Sequence, residues 1–260
     1  MIPSDELLAC AIATAKAAGT HAFENQHRRN EVFQSLRFDV KLMLDIESQQ
    51  KAEEVIRARF PDHDVLGEED QEESERLHEY EWIIDPIDGT VNFSHGLPMW
   101  CSSVAVRKGD KVVAGAVYAP VMDELYAASI DTPATLNGEP IHVSTVSDLK
   151  KAMITTGLNR TPDTVHCPFE VLEALAGEVQ KVRLLGSAAL DLCRVARGHC
   201  EAYFESGVYI WDIAAAELIV TQAGGQCEAI ARETKNRYGF LGTNGHLHAP
   251  LKTVLERIIT

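Results

Sequence analysis

Acidic residues that could bind a divalent cation stand at three breakpoints along the chain. The segment "EWIIDPIDGTVNF", residues 81–93, carries Asp85 and Asp88 at the end of an apolar run. "LGEED" places Glu68 behind a short apolar stretch, and "YIWDIAAAELIV" places Asp212 at the start of a hydrophobic one. Mg²⁺ is usually bound by a few carboxylates together with substrate phosphate. The pattern is therefore typical of a magnesium site, but ordinary turns would also explain it, because Asp and Gly are good turn formers.

The "DPIDGT" motif offers a phosphate site as well as oxygen ligands. Pro86 disfavours the helical conformation of the residue before it, so Asp85 should end a strand with its side chain in a crevice. Asp88 can point back toward the same space, and Gly89 lets the backbone approach a ligand closely. If "TVNFSHG" begins a helix, the amides of Gly89 and Thr90 form an anion site at its N-terminus.

Helix capping is the simpler explanation for two further aspartates. Asp45 and Asp212 each stand at the start of a predicted helix, where an aspartate commonly accepts hydrogen bonds from main-chain amides. Capping would explain either residue by itself. Their occurrence together with "DPIDGT" and "GEED" favours a shared site.

The composition excludes several classes of partner. The chain has 260 residues and a net charge of -15, so nucleic acid is not an expected partner, because binding to its phosphates requires positive charge. An anionic substrate would need a cation between itself and this acidic surface, and metal ions could provide it. No apolar run approaches the ~18 residues of a membrane span. The length allows one large domain or two lobes that share an interface.

The cysteines and C-terminal histidines favour packing over metal binding. No pair has CxxC spacing, and the opening "MIPSDELLACAIATAK" lacks the basic region of a signal peptide, so we expect reduced thiols in the cytoplasm. Cys193 and Cys200 should share one face of a helix in the core, and "GHLHA", with His246 and His248, should be a surface turn rather than a zinc site. The six cysteines are Cys10, Cys101, Cys167, Cys193, Cys200 and Cys227.

Hydrophobic periodicity predicts a mixed α/β chain. Residues 4–28 have the pattern of a helix capped by Ser4, and residues 46–59 that of a second helix. The middle of the chain is rich in strands, with a hairpin turn at Asn137-Gly138. From residue 152 onward strands and helices alternate, which predicts layered sheets and helices.

Three segments together resemble the signature of the inositol monophosphatase family of Mg²⁺-dependent phosphomonoesterases. They are "GEED", "WIIDPIDGTVNF" and "WDIAAAELIVTQAGG", and "LNGEPIHVS" and "RLLGSAALDLCRVARGHCEAYFESG" also match that family's pattern. The resemblance implies an α/β fold built as an αβαβα layered sandwich (an α+β sugar phosphatase fold) in a single domain over residues 1–260. Within it, lobe 1–140 would bind the metal ions and phosphate, and lobe 141–260 would bind the substrate. It also implies a cytoplasmic, lithium-sensitive homodimer.

The resemblance further implies a role for each candidate residue, with two or three Mg²⁺ ions, or Mn²⁺, per site. Thr90 and Asp45 would orient the attacking water and act as catalytic residues together with Glu68, which would also hold a third, weaker ion. The amides of Gly89 and Thr90 would bind phosphate. The first ion would be held by Glu68, Asp85 and the Ile87 carbonyl, and the second by Asp85, Asp88 and Asp212. Asp212, Glu205 and the Ala188 amide would contact the substrate.

The implied activity is hydrolysis of inositol monophosphate by a metal-activated water. The same resemblance leaves fructose 1,6-bisphosphate, 3′-phosphoadenosine 5′-phosphate and histidinol phosphate open as substrates. A binding or regulatory protein that keeps the scaffold without catalysis is a further alternative. Each reading takes a small-molecule phosphate ester as the ligand and excludes nucleic acid and membranes as partners.

Two features bear on how well the resemblance applies. The segment "VKLMLD", which ends at Asp45, carries Lys41 where the family's pattern commonly has threonine. The polar stretch 24–38 should be a surface loop, and its basic residues could contact substrate phosphate or could simply be solvated. They are His27, Arg28, Arg29 and Arg37.

Overall fold

The computed structural model describes residues 2–35, 40–70, 76–158, 168–232, 234 and 236–259, so Arg37 and Cys167 lie outside the described residues. The helices are α1 (Ser4–Glu24), α2 (Met43–Arg59), α3 (Thr90–Ser94), α4 (Pro168–Glu178), α5 (Ala188–Ala196), α6 (Ile210–Gln222) and α7 (His248–Ile259). The strands are β1 (Val32–Ser35), β2 (Val40–Leu42), β3 (Asp64–Gly67), β4 (Tyr80–Asp88), β5 (Cys101–Lys108), β6 (Lys111–Ala119), β7 (Glu124–Ser129), β8 (Thr132–Leu136), β9 (Glu139–Pro140), β10 (Met153–Thr156), β11 (Lys181–Arg183), β12 (Ala202–Tyr209), β13 (Gln226–Arg232) and β14 (Arg237–Thr243).

Two sheets form the framework of the described chain. Strands β3 to β9 make a seven-stranded sheet in chain order, in which β3 and β4 are parallel and the other neighbours antiparallel. A five-stranded sheet has the order β11-β10-β12-β14-β13, with β10 parallel to both of its neighbours. Strands β1 and β2 pair separately. The first sheet ends at residue 140 and the second begins at residue 153.

Helices cover both sheets, giving five layers in the order αβαβα that the resemblance implies. Helices α1 and α2 cover one face of the first sheet, where Trp82 and Ile84 of β4 are buried. Ile83, which points to the opposite face, packs with α5 and α6 in the layer between the sheets. Helices α4 and α7 cover the outer face of the second sheet. Strand β4 is buried along its whole length, as expected for a strand with apolar layers on both sides.

A glycine allows the middle layer to pack tightly on the first sheet. A β-carbon on Gly115 of β6 would stand 2.9 Å from the α-carbon of Ala215 in α6. The bare backbone of Gly115 therefore lets α6 approach the sheet. This close contact matters because Asp212 lies in the first turn of α6.

Several predictions from the sequence need correction. Ser4 is the first residue of α1 and not its cap, since Pro3 holds the cap position and the Ser4 hydroxyl donates to Asp131 at 2.6 Å. Helix α1 ends at Glu24, and the stretch predicted as loop contains a 3₁₀ turn at 26–28 and strand β1. Strand β13 was not predicted, because "QCEAIAR" is an edge strand with a single β-branched residue and no aromatic one.

The cysteine and histidine predictions are partly wrong. Helix α5 ends at Ala196, so Cys200 lies beyond it and shares no helix face with Cys193, although both thiols are buried and free. His248 is not in a surface turn. It is 4% exposed at the start of α7, where its ring nitrogens contact Thr243 and Glu228. His246 is exposed as predicted.

Within the described ranges, no helix combines the length and the apolar character that crossing a bilayer requires.

Candidate active site

An irregularity in strand β4 brings the two aspartates of "DPIDGT" together. Asp85 pairs with Ser103 of β5 and Asp88 pairs with Cys101, so β4 uses one residue more than β5 between these points. Side chains three apart on a regular strand point to opposite faces, and one extra residue in a bulge reverses that relation. The strand therefore continues past Asp85, where the sequence predicted its end, and both carboxylates face one region.

Main-chain contacts fix the turn that follows. The Ile87 amide donates to Asp85 Oδ1 at 3.0 Å, and the Thr90 hydroxyl donates to the Ile87 carbonyl oxygen at 2.9 Å. Gly89 has a φ of 91°, and a β-carbon there would stand 2.9 Å from the Met99 carbonyl oxygen. Glycine is therefore required at this position both for its backbone conformation and for space. Helix α3 begins at Thr90, as predicted, but has only five residues.

The start of helix α5 holds Asp88. The Ser187 hydroxyl donates to Asp88 Oδ2 at 2.6 Å, the Ala189 amide donates to the same oxygen at 2.8 Å, and the Ala188 amide donates to Oδ1 at 3.2 Å. The Cys101 thiol adds a weaker contact of 3.6 Å. Asp88 thus caps a helix from a distant part of the chain, which the sequence did not predict.

Asp45 and Asp212 occupy equivalent positions on their helices. Each lies at the third helical position and accepts a hydrogen bond of 2.7 Å from a main-chain amide three residues before it, that of Leu42 for Asp45 and that of Tyr209 for Asp212. The alternative that the sequence left open was an N-cap, but Leu42 and Tyr209 hold the cap positions, and each aspartate bonds back to the cap residue from inside its helix. The hydrogen bond at Asp212 still leaves carboxylate oxygen available to the cluster described next.

Three carboxylates converge at one point, where α6 meets the first sheet. Ligand oxygens of Asp85, Asp88 and Asp212 all lie within 4.8 Å of one another. Burial raises the pKa of each of the three, and repulsion among the carboxylates raises the pKa of Asp85 and Asp212 further. Hydrogen bonds from Ser187 and the α5 amides partly oppose the increase at Asp88. Buried oxygen ligands that repel one another fit a hard divalent cation, whose charge would remove both penalties.

Glu68 borders this cluster without being one of its three members. It follows β3, its amide donates to the Ile84 carbonyl oxygen at 3.1 Å, and its charge helps to raise the pKa of the Asp85 carboxyl. Lys41 of β2 reaches the same turn, where its Nζ lies 3.0 Å from Glu69 Oε2. Asp45 is 2% exposed on the neighbouring helix α2. The Thr90 hydroxyl gives its single proton to Ile87, so it does not donate to Asp45 in this structure.

Glu205 lies on β12, at the other end of the site. It accepts a hydrogen bond of 2.8 Å from the Tyr203 hydroxyl, and burial raises its pKa to about 7, with Asp88 contributing. A β-carbon built on Gly157 would overlap the Glu205 carboxylate. The Ala188 amide, expected to contact substrate, is occupied by Asp88.

Four residues near the site were not predicted from the sequence. Ser187 and Cys101 contact Asp88, Tyr203 holds Glu205, and Gly157 makes room for it. A serine before a helix predicts a side-chain cap, but the Ser187 hydroxyl makes no capping bond to α5 and donates to Asp88 instead. That partner could not be read from the sequence.

The basic loop is partly committed to other contacts. The Arg28 guanidinium binds Glu47 at 2.8 Å and Glu31 at 2.7 Å, which holds it away from a phosphate. Arg29 lies beside Gly96, just after α3.

The five layers in the order αβαβα and the acidic cluster are features expected of the metal-dependent phosphatases that the sequence resembles. The chain belongs to the inositol monophosphatase family, since the model of that family matches residues 4–260.

Individual relatives agree with this family. An inositol-1-monophosphatase of Synechocystis sp. is 38% identical over 211 residues, which are 78% of this chain and 71% of that protein. A Nus factor SuhB of Pasteurella multocida is 34% identical over 256 residues, 97% and 94% of the two chains. The solved structure of an inositol monophosphatase from Anabaena (Nostoc) sp. has a TM-score of 0.85 and 32% identity, and covers 98% of this chain and 96% of that one. The family and these relatives indicate a phosphatase, but the two names leave its substrate open.

Proposed function

We propose that the protein is a Mg²⁺-dependent phosphomonoesterase that hydrolyses inositol monophosphate to inositol and phosphate. The observation that carries the proposal is the convergence of two buried carboxylates, Asp85 and Asp88, with the partly buried Asp212. Relatives named inositol monophosphatase support this choice of substrate. Fructose 1,6-bisphosphate, 3′-phosphoadenosine 5′-phosphate and histidinol phosphate are the alternatives within the same chemistry.

The cluster offers ligands for two ions. Glu68, Asp85 and the Ile87 carbonyl would hold one ion, and Asp85, Asp88 and Asp212 a second, with a weaker third at Glu68. Bound in this way, divalent cations lower the pKa of water and offset charge on phosphoryl oxygens. All these ligands are hard oxygen atoms, which suit Mg²⁺ and also Mn²⁺.

Thr90 and Asp45 would place the attacking water. A hydroxyl both donates and accepts, so Thr90 can donate to the Ile87 carbonyl and still accept a hydrogen bond from water. Asp45 is held by the Leu42 amide at the start of α2. With water oriented in line with the phosphorus, no covalent intermediate on the protein is needed.

The remaining residues would bind the two halves of the ester. The amides of Gly89 and Thr90 would donate to the phosphate, and Glu205 would accept hydrogen bonds from hydroxyls of the polyol. Asp212 would hold the water that protonates the leaving alkoxide. The contact of the Ala188 amide with the ring has the least geometric support, because this amide donates to Asp88.

Relatives named Nus factor SuhB favour a second candidate, a regulatory protein on the same scaffold. Hydrolysis separates the two, because a pure binding protein needs no oriented water. Phosphate release should therefore be measured with the four esters named above, with Mg²⁺ and after chelation. We expect turnover with Mg²⁺ that chelation abolishes, fastest with inositol monophosphate. No turnover of any of these esters would reject the proposal.

Asp88→Asn tests the ion ligands directly. The amide keeps the size of the side chain but loses one anionic oxygen, so we expect Mg²⁺-dependent phosphate release to disappear while the fold persists. Asp110→Asn is the control, because that side chain is 96% exposed in a surface turn. Full activity in Asp88→Asn would remove this residue from the ion site.

The family resemblance supports further proposals about the whole protein. We propose inhibition by lithium, a homodimer in the cytoplasm, and lobes 1–140 and 141–260 for ion and substrate binding. The described cysteines are all free thiols, which is compatible with a reducing compartment. A lithium titration and light scattering after gel filtration would test the first two.

A further inference from the structure

Lys41 contacts the turn that carries Glu68 at two points. Its Nζ lies 3.0 Å from Glu69 Oε2 and donates to the Glu68 carbonyl oxygen at 3.4 Å. The Glu69 side chain is only 6% exposed, and that of Lys41 28%. An ion pair in this setting is less screened by solvent than an exposed one, so its loss has a larger effect.

Other bonds also fix the same turn, and Lys41 adds a link from it to strand β2. The Glu68 amide donates to β4 through the Ile84 carbonyl, and the Glu69 amide donates to Gln49 Oε1 of α2 at 3.0 Å. Lys41 thus holds the side of the turn that faces β2. That strand leads directly into α2, where Asp45 is held by the Leu42 amide.

The charges around Lys41 favour its protonated form. Burial lowers the pKa of Lys41, but the hydrogen bond and charge of Glu69, with Glu68 and Asp45, outweigh burial and raise the pKa above its ordinary value. The side chain therefore stays an ammonium group at neutral pH. Because it is paired with Glu69, its charge is largely balanced and it repels a nearby cation little.

We propose that Lys41 is a positioning residue for the divalent cation site: clamped between Glu69 and the Glu68 carbonyl, it fixes the turn that directs Glu68 toward Asp85. The inference rests on the proposed ion site and adds to it a residue outside the ligand set. Groups that orient metal ligands from outside typically contribute a factor of 10 to 100 in metal affinity.

The test measures Mg²⁺ binding to the metal-free, full-length protein, by calorimetry and by the rise in melting temperature that Mg²⁺ causes. In Lys41→Met we expect about a tenfold loss of Mg²⁺ affinity, because Glu69 loses its cation and the turn shifts. Lys41→Arg, which keeps the charge and the donors, should retain most of the affinity. Lys41→Met combined with Glu69→Gln should recover much of the loss, because the charge that Lys41 balanced is also removed.

Lys108 offers a matched control. Its Nζ lies 3.1 Å from Glu79 Oε1 and its side chain is 29% exposed, but it stands at the end of β5 opposite to Cys101 and the acidic cluster. Lys108→Met should bind Mg²⁺ as the wild type does. Should Lys41→Met fail to fold, Lys41→Gln gives the same comparison.

Three results would overturn the inference. They are unchanged or tighter Mg²⁺ binding in Lys41→Met, an equal loss in Lys108→Met, and no recovery in the double variant. These outcomes are separate from a failure of the proposed function, because the readout is ion binding and not turnover. A wild-type protein that binds Mg²⁺ but hydrolyses no ester would refute the proposed function and leave the role of Lys41 to be decided by the variants.

Discussion

At the ion-binding end of the site, main-chain amides hold the carboxylates, whereas at the substrate end Glu205 depends on a tyrosine hydroxyl and on the bare backbone of Gly157. Asp88 receives two amides from α5, and Asp212 receives the Tyr209 amide. Glu205 receives the Tyr203 hydroxyl. Substitutions other than to proline keep the main-chain amide, but every substitution changes the side chain.

This contrast suggests how one scaffold can keep its chemistry while its substrate changes. The geometry of the acidic cluster follows from a bulge and two helix starts, which are properties of the backbone. The group that would recognise the leaving alcohol depends on particular side chains. Substitutions at the two ends of the site should therefore affect ion binding and substrate recognition differently, and three predictions address this difference.

The largest expected effect concerns the stability cost of Glu205. Burial raises its pKa from an ordinary 4.5 to about 7. A carboxyl group with a higher pKa in the folded chain than in the unfolded chain destabilises the fold as the pH rises between those two values. Glu205→Gln removes this cost and keeps an oxygen that can accept from Tyr203. With ions chelated, we expect the free energy of unfolding of Glu205→Gln to exceed that of the wild type by roughly 3 kcal/mol above pH 7. Below pH 4.5 the two proteins should be equally stable.

Urea denaturation of both proteins at pH 5, 7 and 8 would measure this difference. The exposed Glu139→Gln provides a control for loss of one negative charge. A gain in Glu205→Gln that is the same at pH 5 and pH 8 would show that Glu205 is not the titrating group.

The second prediction separates substrate recognition from ion binding. In Gly157→Ala the new methyl group overlaps the Glu205 carboxylate and displaces it. A displacement of about 1 Å in a positioning group can cost about 100-fold in rate, and we expect a loss of that size in kcat/KM for inositol monophosphate. An aryl phosphate without ring hydroxyls should be hydrolysed as before, and Mg²⁺ affinity should be unchanged.

Gly177→Ala is the matched control for this change, because nothing lies within 4 Å of a β-carbon there. The φ of Gly157 is outside the left-handed region, so alanine itself is not strained at that position. Equal losses for the polyol and aryl esters would contradict the proposed role of Glu205 and would place the damage at the ion end.

Local patterns in the sequence predicted much of the framework. The run "WIID" predicted a strand, and Asn137-Gly138 predicted a hairpin turn whose two residues indeed have φ values of 51° and 86°. Both signals act between near neighbours. The family resemblance predicted the layer order, which no local pattern contains.

The missed features depend on contacts between distant residues. Asp88 and Ser187 are 99 residues apart, so the capping of α5 by Asp88 cannot be seen in either segment. The sequence likewise gave no reason to expect His248 in the core, because its partner Glu228 lies on β13, a strand that the pattern did not predict. In the sequence, Lys41 stands out only as a departure from the family's pattern, and the fold identifies Glu69 as its partner.

The smallest of the three effects is expected at Ser187, the one hydroxyl among the donors to Asp88 that the described residues provide. Ser187→Ala removes a bond of 2.6 Å from a side chain that is 2% exposed, but the amides of Ala188 and Ala189 remain. We therefore expect only about a tenfold loss of Mg²⁺ affinity, and an equal fractional loss of turnover for every ester at subsaturating Mg²⁺. Ser144→Ala, which removes a serine–carboxylate bond of 2.9 Å to Glu201 just before β12, is the control. A loss that differs between esters would mean that the ion end also selects the substrate. The division between an end fixed by the backbone and an end tuned by side chains would then be wrong.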